Sequence, residues 1–228
     1  TEEKDRTVWL LIVQRMPMFF GSQKKMKSVV AAEAAAIACW RVLAQGDRVG
    51  ALVFDDHDLR VIPPHRSVDR VAQILNAVVE KNHALKATFE SAPNPGMLNQ
   101  ALKHVSALAR HDCLVGLVSD GFGLDDDSRR YITRLTEHND VLALYVFDPL
   151  ERAIPEAGRL VFTDGSTQIE FNSAQRKLRE AWAGDFEKRL ERMRDTSRRH
   201  DIPLLPVHTA APVLEQLRAA LGQRGSGR

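Results

Sequence analysis

Carboxylates, cations and soft apolar groups collect at a few points of the 228-residue sequence, and each collection implies a different chemistry. Asp120 stands in Ser119-Asp120-Gly121 directly after an apolar run, where an aspartate either caps the following turn or offers one hard oxygen to a divalent ion. Asp125-Asp126-Asp127 lies just downstream, so a metal-assisted hydrolase using Asp120 with Asp125 or Asp126 is one reading. The triplet precedes Ser128 at an expected helix start, however, where carboxylates meet the positive end of the helix dipole, and capping is preferred. Asp55-Asp56-His57-Asp58 also offers ligand types, but at an expected hairpin tip, where such residues supply turn geometry.

Other chemistries find little support. The eight histidines are scattered, with no i, i+4 pair beside a carboxylate, and no Gly-rich phosphate loop, Gly-x-Ser-x-Gly elbow or Cys-His pair occurs. Cys39 and Cys113 lie far apart in apolar settings, which suits a reducing, cytoplasmic compartment better than a disulfide framework. Lys plus Arg (32) nearly balance Asp plus Glu (30), so a partner drawn by charge must meet a local patch. The segment 176–199 is rich in arginine and could make a nucleic-acid-binding accessory domain, yet Glu180, Asp185, Glu187, Glu191 and Asp195 interleave at pairing distance and favour a solvated, self-paired helix. No run approaches the ~20 apolar residues of a bilayer-spanning helix. Met16, Met18, Phe19 and Phe20 form a loop that either packs inward or presents an adhesive surface to a partner.

The elements that must hold these groups follow from hydrophobic period. Val8–Val13, Cys113–Val118, Val141–Phe147 and Pro203–Val207 are apolar runs typical of strands covered on both faces. Helices are expected over Ser28–Leu43, Val68–Val79, Leu98–Leu108, Asp125 to about Leu135, Ala174–Arg199 and Val213–Leu221. Val49–Phe54 and Leu59–Ile62 form an edge hairpin stopped by Pro63-Pro64, and His83–Pro95 reads as a mobile loop. A small hairpin over 159–171, with Thr163-Asp164-Gly165-Ser166 at its turn, interrupts the rhythm as an insertion. Alternating strands and crossover helices predict one domain over 1–228: an α/β three-layer sandwich with a mostly parallel central sheet and an antiparallel edge hairpin.

An apolar strand, a loop, a buried helix, an edge hairpin and a later strand ending in Ser-Asp-Gly resemble the von Willebrand factor type A fold. Val13-Gln14-Arg15-Met16-Pro17-Met18-Phe19-Phe20-Gly21-Ser22, Lys27-Ser28, Ala31-Ala32-Glu33 and Gly46-Asp47-Arg48-Val49-Gly50 narrow the resemblance to the MoxR-associated family called domain of unknown function 58. His138-Asn139-Asp140-Val141, Asp148-Pro149-Leu150-Glu151, Pro155 and Thr163-Asp164-Gly165 agree in order. The family carries an upstream region with Gly-Asp and Ile-Asp-Trp motifs that is absent here, and a start without Met suggests a piece of a longer protein.

Type A domains often hold a divalent ion on an Asp-x-Ser-x-Ser loop, a Thr and a later Asp. The resemblance lays these positions on Val13, Arg15, Pro17, Met97 and Asp120, which implies a degenerate metal site with only Asp120 retained and no cofactor. Arg15 or Lys27 is then expected to supply the missing positive charge beside Asp120; alternatively Asp120 caps its turn and Arg15 points to solvent. The resemblance implies a non-enzymatic adaptor. Its contact surface would be Arg15, Met16, Met18, Phe19, Phe20, Ser22, Met97, Asp120 and Phe122, and its partner a MoxR-type AAA+ ATPase in chaperone-like assembly or maturation. No nucleic acid or membrane partner is expected.

Overall fold

The computed structural model describes residues 5–85, 93–163 and 168–225. In chain order the elements are β1 (Thr7–Val13), α1 (Lys27–Ala44), β2 (Arg48–Phe54), β3 (Leu59–His65), α2 (Val68–Ala84), α3 (Gly96–Leu108) and β4 (Leu114–Ser119). Then follow α4 (Asp126–His138), β5 (Asp140–Phe147), α5 (Pro149–Arg152), β6 (Arg159–Thr163), β7 (Gln168–Asn172), α6 (Arg176–Arg199), β8 (Leu204–His208) and α7 (Val213–Gly225). The main sheet runs β3-β2-β1-β4-β5-β8, and β6 pairs with β7 separately.

The apolar run of β1 places it at the sheet's centre, parallel to β2 and β4, because both of its faces are covered. Trp9, Leu11 and Val13 join Leu98, Leu102 and Val105 of α3 and Ile132 and Leu135 of α4 in one cluster. Val8, Leu10 and Ile12 join Ala35 and Cys39 of α1 and Val71, Ile74 and Val78 of α2 in another. The alanines of α1 bring its backbone close to the sheet, with Ala31, Ala34 and Ala35 buried. Since β1, β4 and β5 are parallel, the loops that leave their C-terminal ends gather along one edge of the sheet, where side chains of three loops can meet.

Most expected elements are present, with four corrections. Pro63-Pro64 does not stop β3, which runs on to His65; β3 is an edge strand and both prolines fall at a register shift where they have no partner on β2, so the missing N–H groups cost no ladder bond. The register shifts between Val49 and Ala51, and Gly50 lies at that shift because a Cβ would come within 2.7 Å of the Pro64 nitrogen. Helix α2 continues to Ala84, five positions past the expected end at Val79, so the loop expected over His83–Pro95 begins later; its residues 86–92 lie outside the described residues. Two short elements have no counterpart in the hydrophobic pattern, the 3-10 turn Met16–Met18 and α5, being too short for periodicity to mark them. The inserted hairpin pairs Arg159–Thr163 with Gln168–Asn172, and residues 164–167 of its expected turn lie outside the described residues.

The opposite edge strand, β8, is also blunted. Pro206 removes one donor, and the Gln216 side chain accepts from the His208 N–H and donates to its carbonyl, both at 2.9 Å. Among the described residues no helix is long and apolar enough to cross a membrane.

Leu11 is fully buried at the centre of β1. Leu11→Ala is expected to lower the unfolding free energy by about 2–5 kcal/mol, read as a shift in denaturant midpoint at unchanged slope.

Candidate functional site

Where β1 ends the chain turns inward. Gln14 is wholly buried, donating to the Ser28 carbonyl at 3.0 Å and accepting from Asn82 Nδ2 at 2.9 Å. Arg15 is also wholly buried, and its guanidinium ties together loops far apart in sequence. Nη1 donates to the Asn94 carbonyl at 3.0 Å and Nη2 to the Phe122 carbonyl at 2.6 Å. The rings of Phe54 and Phe122 lie 5.7 and 5.3 Å from its central carbon, while Nε has no hydrogen-bond partner. Burial lowers the Arg15 pKa, the charges of Asp120 and Asp56 oppose it, and the net shift is downward.

Two further contacts fix this loop. Asp56 accepts from the Met16 and Asn94 N–H groups, each at 2.8 Å. Gly123 sits at φ +84, and a Cβ there would meet the Pro95 carbonyl at 2.5 Å, so only glycine lets the loops after β4 and before α3 touch.

Lys27 opens α1, where the helix dipole disfavours a cation, and it is 1% exposed. Its ammonium donates to Asp120 Oδ2 at 3.1 Å and to Glu151 Oε1 at 3.0 Å. Arg189 of α6 adds a bond to the same Glu151 oxygen at 3.2 Å. Burial alone would lower the Lys27 pKa, but Asp120 and Glu151 outweigh it and the pKa rises. Burial alone would raise the Asp120 pKa, but Lys27 and Arg15 outweigh it and the pKa falls. The other Asp120 oxygen accepts from the Phe122 N–H at 3.1 Å, so this aspartate both pairs with a cation and caps its turn. Arg15 does not point to solvent; of the two cations proposed for Asp120, Lys27 makes the direct bond.

Glu151 is placed by a capping box on α5, in which it accepts from the Asp148 N–H at 2.9 Å. Asp148 in turn accepts from the Ser22 N–H at 2.8 Å and from the Ser22 and Thr209 hydroxyls, each at 2.5 Å. Burial would raise the Asp148 pKa, but these donors outweigh it and lower it.

Above the Lys27–Glu151 pair opens a cleft of about 390 Å³. Met16, Pro17, Phe19 and Phe20 form one wall, and Trp182 and Arg189 of α6 the other. Of the expected contact residues, Met16, Phe19, Phe20 and Phe122 are partly exposed and Ser22 is exposed. Arg15, Met18, Met97 and Asp120, expected at the contact surface, are instead buried and lie beneath the exposed residues of the loop. Met18 packs inward because the 3-10 turn points it at the core next to Val13 and Met97.

Sequence reasoning missed Asp56, Asp148, Glu151, Trp182 and Arg189 as members of the site. The signal for two of them was present: Asp148-Pro149-Leu150-Glu151 has the spacing of a capping box with proline at the first helical position. Asp125 caps α4 as expected, accepting from the Ser128 N–H at 2.9 Å, and Asp126 and Asp127 pair with Arg129 and Arg130. Asp55 holds its turn through the His57 and Asp58 N–H groups, each at 2.8 Å. Along α6, Arg176, Lys188, Arg194 and Arg198 pair with acidic neighbours of the same helix. Among the described residues no group of three or more His, Cys, Asp or Glu side chains is placed to share a metal ion.

Lys27→Met would leave two buried carboxylates without their shared cation and is expected to cost about 3–5 kcal/mol of stability. The pH dependence has a defined sign. Asp120 titrates below the ordinary carboxylate range of about 4, so its contribution is complete above that range and lost as pH falls through the depressed value. Lys27 titrates above its ordinary value of about 10, so its contribution is lost only as pH rises through that higher value. In urea unfolding, Asp120→Asn is therefore expected to be much less stable than the parent at pH 7, with the gap narrowing as pH falls below about 4.

Comparison with known proteins places this geometry. The profile described as protein of unknown function DUF58 matches residues 1–203. None of the curated proteins matches the sequence. Among solved structures, BatB from Bacteroides thetaiotaomicron, a conserved hypothetical protein, superposes with a TM-score of 0.54 at 12% identity, covering 96% of this chain and 98% of that one. An aerotolerance-related membrane protein from Bacteroides fragilis, carrying multiple mutations to serines, gives 0.52 at 14% identity, covering 96% and 97%. The SpRpn10 VWA domain gives 0.46 at 8% identity, covering 94% of each chain. The fold is an α/β sandwich around a mostly parallel six-stranded sheet, shared with BatB, and the chain belongs to the DUF58 family of proteins of unknown function.

Proposed function

We propose that this chain is a non-catalytic docking domain whose upper sheet edge engages a protein partner directly, with no bridging metal ion. The reading rests on one observation: the ammonium of Lys27 sits between Asp120 and Glu151 beneath an apolar-walled cleft. A Mg²⁺ site needs several hard oxygen ligands in near-octahedral geometry. The residues laid on the type A ligand positions are Val13, Arg15, Pro17, Met97 and Asp120, and the one carboxylate among them already holds a cation and an N–H group. This donor set does not fit a divalent ion.

A fixed internal ion pair leaves apolar contact and shape as the means of recognition, and Met16, Phe19 and Phe20 beside Trp182 supply them. Aromatic side chains in a partly desolvated cleft are typical anchors of binding energy. The family resemblance points to a MoxR-type AAA+ ATPase as the partner, with the pair acting in the cytoplasm on chaperone-like maturation or assembly. Hydrolysis through Asp120 with Asp125 or Asp126 has less support, because Asp125 is engaged by Ser128 and Asn99 and Asp126 by Arg129.

The test is binding of the purified domain to the MoxR-type ATPase of its own organism, measured by calorimetry. Phe19→Asp is expected to weaken binding about 30-fold or more while leaving the melting temperature within a few degrees. Equal affinity of variant and parent would sink the proposed face, and absence of any binding would sink the partner.

A further inference from the structure

The sheet face carrying α1 and α7 is incompletely covered. Between these two helices remains a cavity of about 660 Å³, whose floor includes Leu10, Leu144 and Gly116. Gly116 deepens the floor, since β4 has no side chain there and a Cβ would come within 2.9 Å of a Leu10 methyl. Ala38 of α1 forms one wall and Leu214 and Leu221 of α7 the other, and these two leucines are 42% and 44% exposed. A cavity of this volume lies in the range of small-molecule sites, about 300–1,000 Å³.

Two cations interrupt the apolar lining. Arg41 projects from α1 and Arg218 from α7, both lining the cavity, and neither has a carboxylate partner among the described residues. Most arginines on α6, by contrast, have acidic neighbours. Long aliphatic walls with two unneutralised guanidinium groups complement a molecule with an apolar tail and one anionic head. A neutral apolar ligand would leave that charge unused, and a cationic one would be repelled.

From this combination we infer that the cavity between α1 and α7 is a binding site for a single-chain aliphatic carboxylate. Its tail lies over Leu10, Gly116 and Leu144, and its carboxylate sits at the mouth between Arg41 and Arg218. The site is separate from the upper-edge cleft, so it stands or falls independently of the partner proposed above.

The experiment titrates the full chain with decanoate and, in parallel, with decanol, following heat or displacement of a fluorescent fatty acid. Saturable 1:1 decanoate binding is expected. Arg41→Gln with Arg218→Gln should weaken decanoate about tenfold and leave decanol nearly unchanged. Ala38→Phe fills the cavity and should abolish binding of both ligands, and Leu214→Asp, at an exposed wall position, should weaken both without unfolding the chain. Absence of saturable decanoate binding to the parent, or parent-like binding by both wall variants, overturns the site. Equal weakening of decanoate and decanol by the arginine pair overturns the assignment of the head group.

Discussion

The buried ammonium of Lys27 is the constraint on which the upper edge of the domain depends. An ion removed from water must be paired and hydrogen-bonded or it destabilises the fold by several kcal/mol. Lys27 meets that requirement through Asp120, at the end of β4, and Glu151, on the short helix after β5. It starts α1 at the end where the helix dipole repels a cation, which makes those two carboxylates still more necessary. One side chain thereby ties the start of α1 to the loops that follow β4 and β5.

Arg15 extends the same logic sideways. Its guanidinium is spent on two carbonyls and two ring faces, and Asp56 answers it from the edge hairpin by holding the Met16 and Asn94 amides. Asp148 completes the frame by binding Ser22 and Thr209. The loop carrying Met16, Phe19 and Phe20 is anchored at both ends by charged or polar groups that are themselves buried. Its apolar side chains therefore stand on a hydrogen-bonded base, which under the proposed docking role would limit the ordering entropy lost on binding.

Helix α6 joins this frame as well as covering the edge of the sheet. Phe186 and Met193 pack with Tyr145 beneath it, while Trp182 donates to the Leu150 carbonyl and Arg189 reaches Glu151. Of its arginines, Arg176, Arg194 and Arg198 pair with acidic neighbours on the same helix, Arg179 pairs with Glu156 and Arg189 with Glu151.

The sequence by itself determined the alternation of strands and helices, the burial of β1 on both faces and the capping role of Asp125, because these depend on local period and local hydrogen bonds. It also marked residues 14–22, Lys27 and Asp120 as belonging together, through their order in a family pattern. Only the tertiary structure decided that Lys27 and not Arg15 bonds Asp120, that Met18 and Met97 lie below the surface, and that Asp56, Glu151 and Arg189 complete the site. Those outcomes depend on distances between residues up to 124 positions apart in the chain, as for Lys27 and Glu151. Neither composition nor periodicity carries such distances; the parallel sheet creates them when it brings its strand ends to one edge.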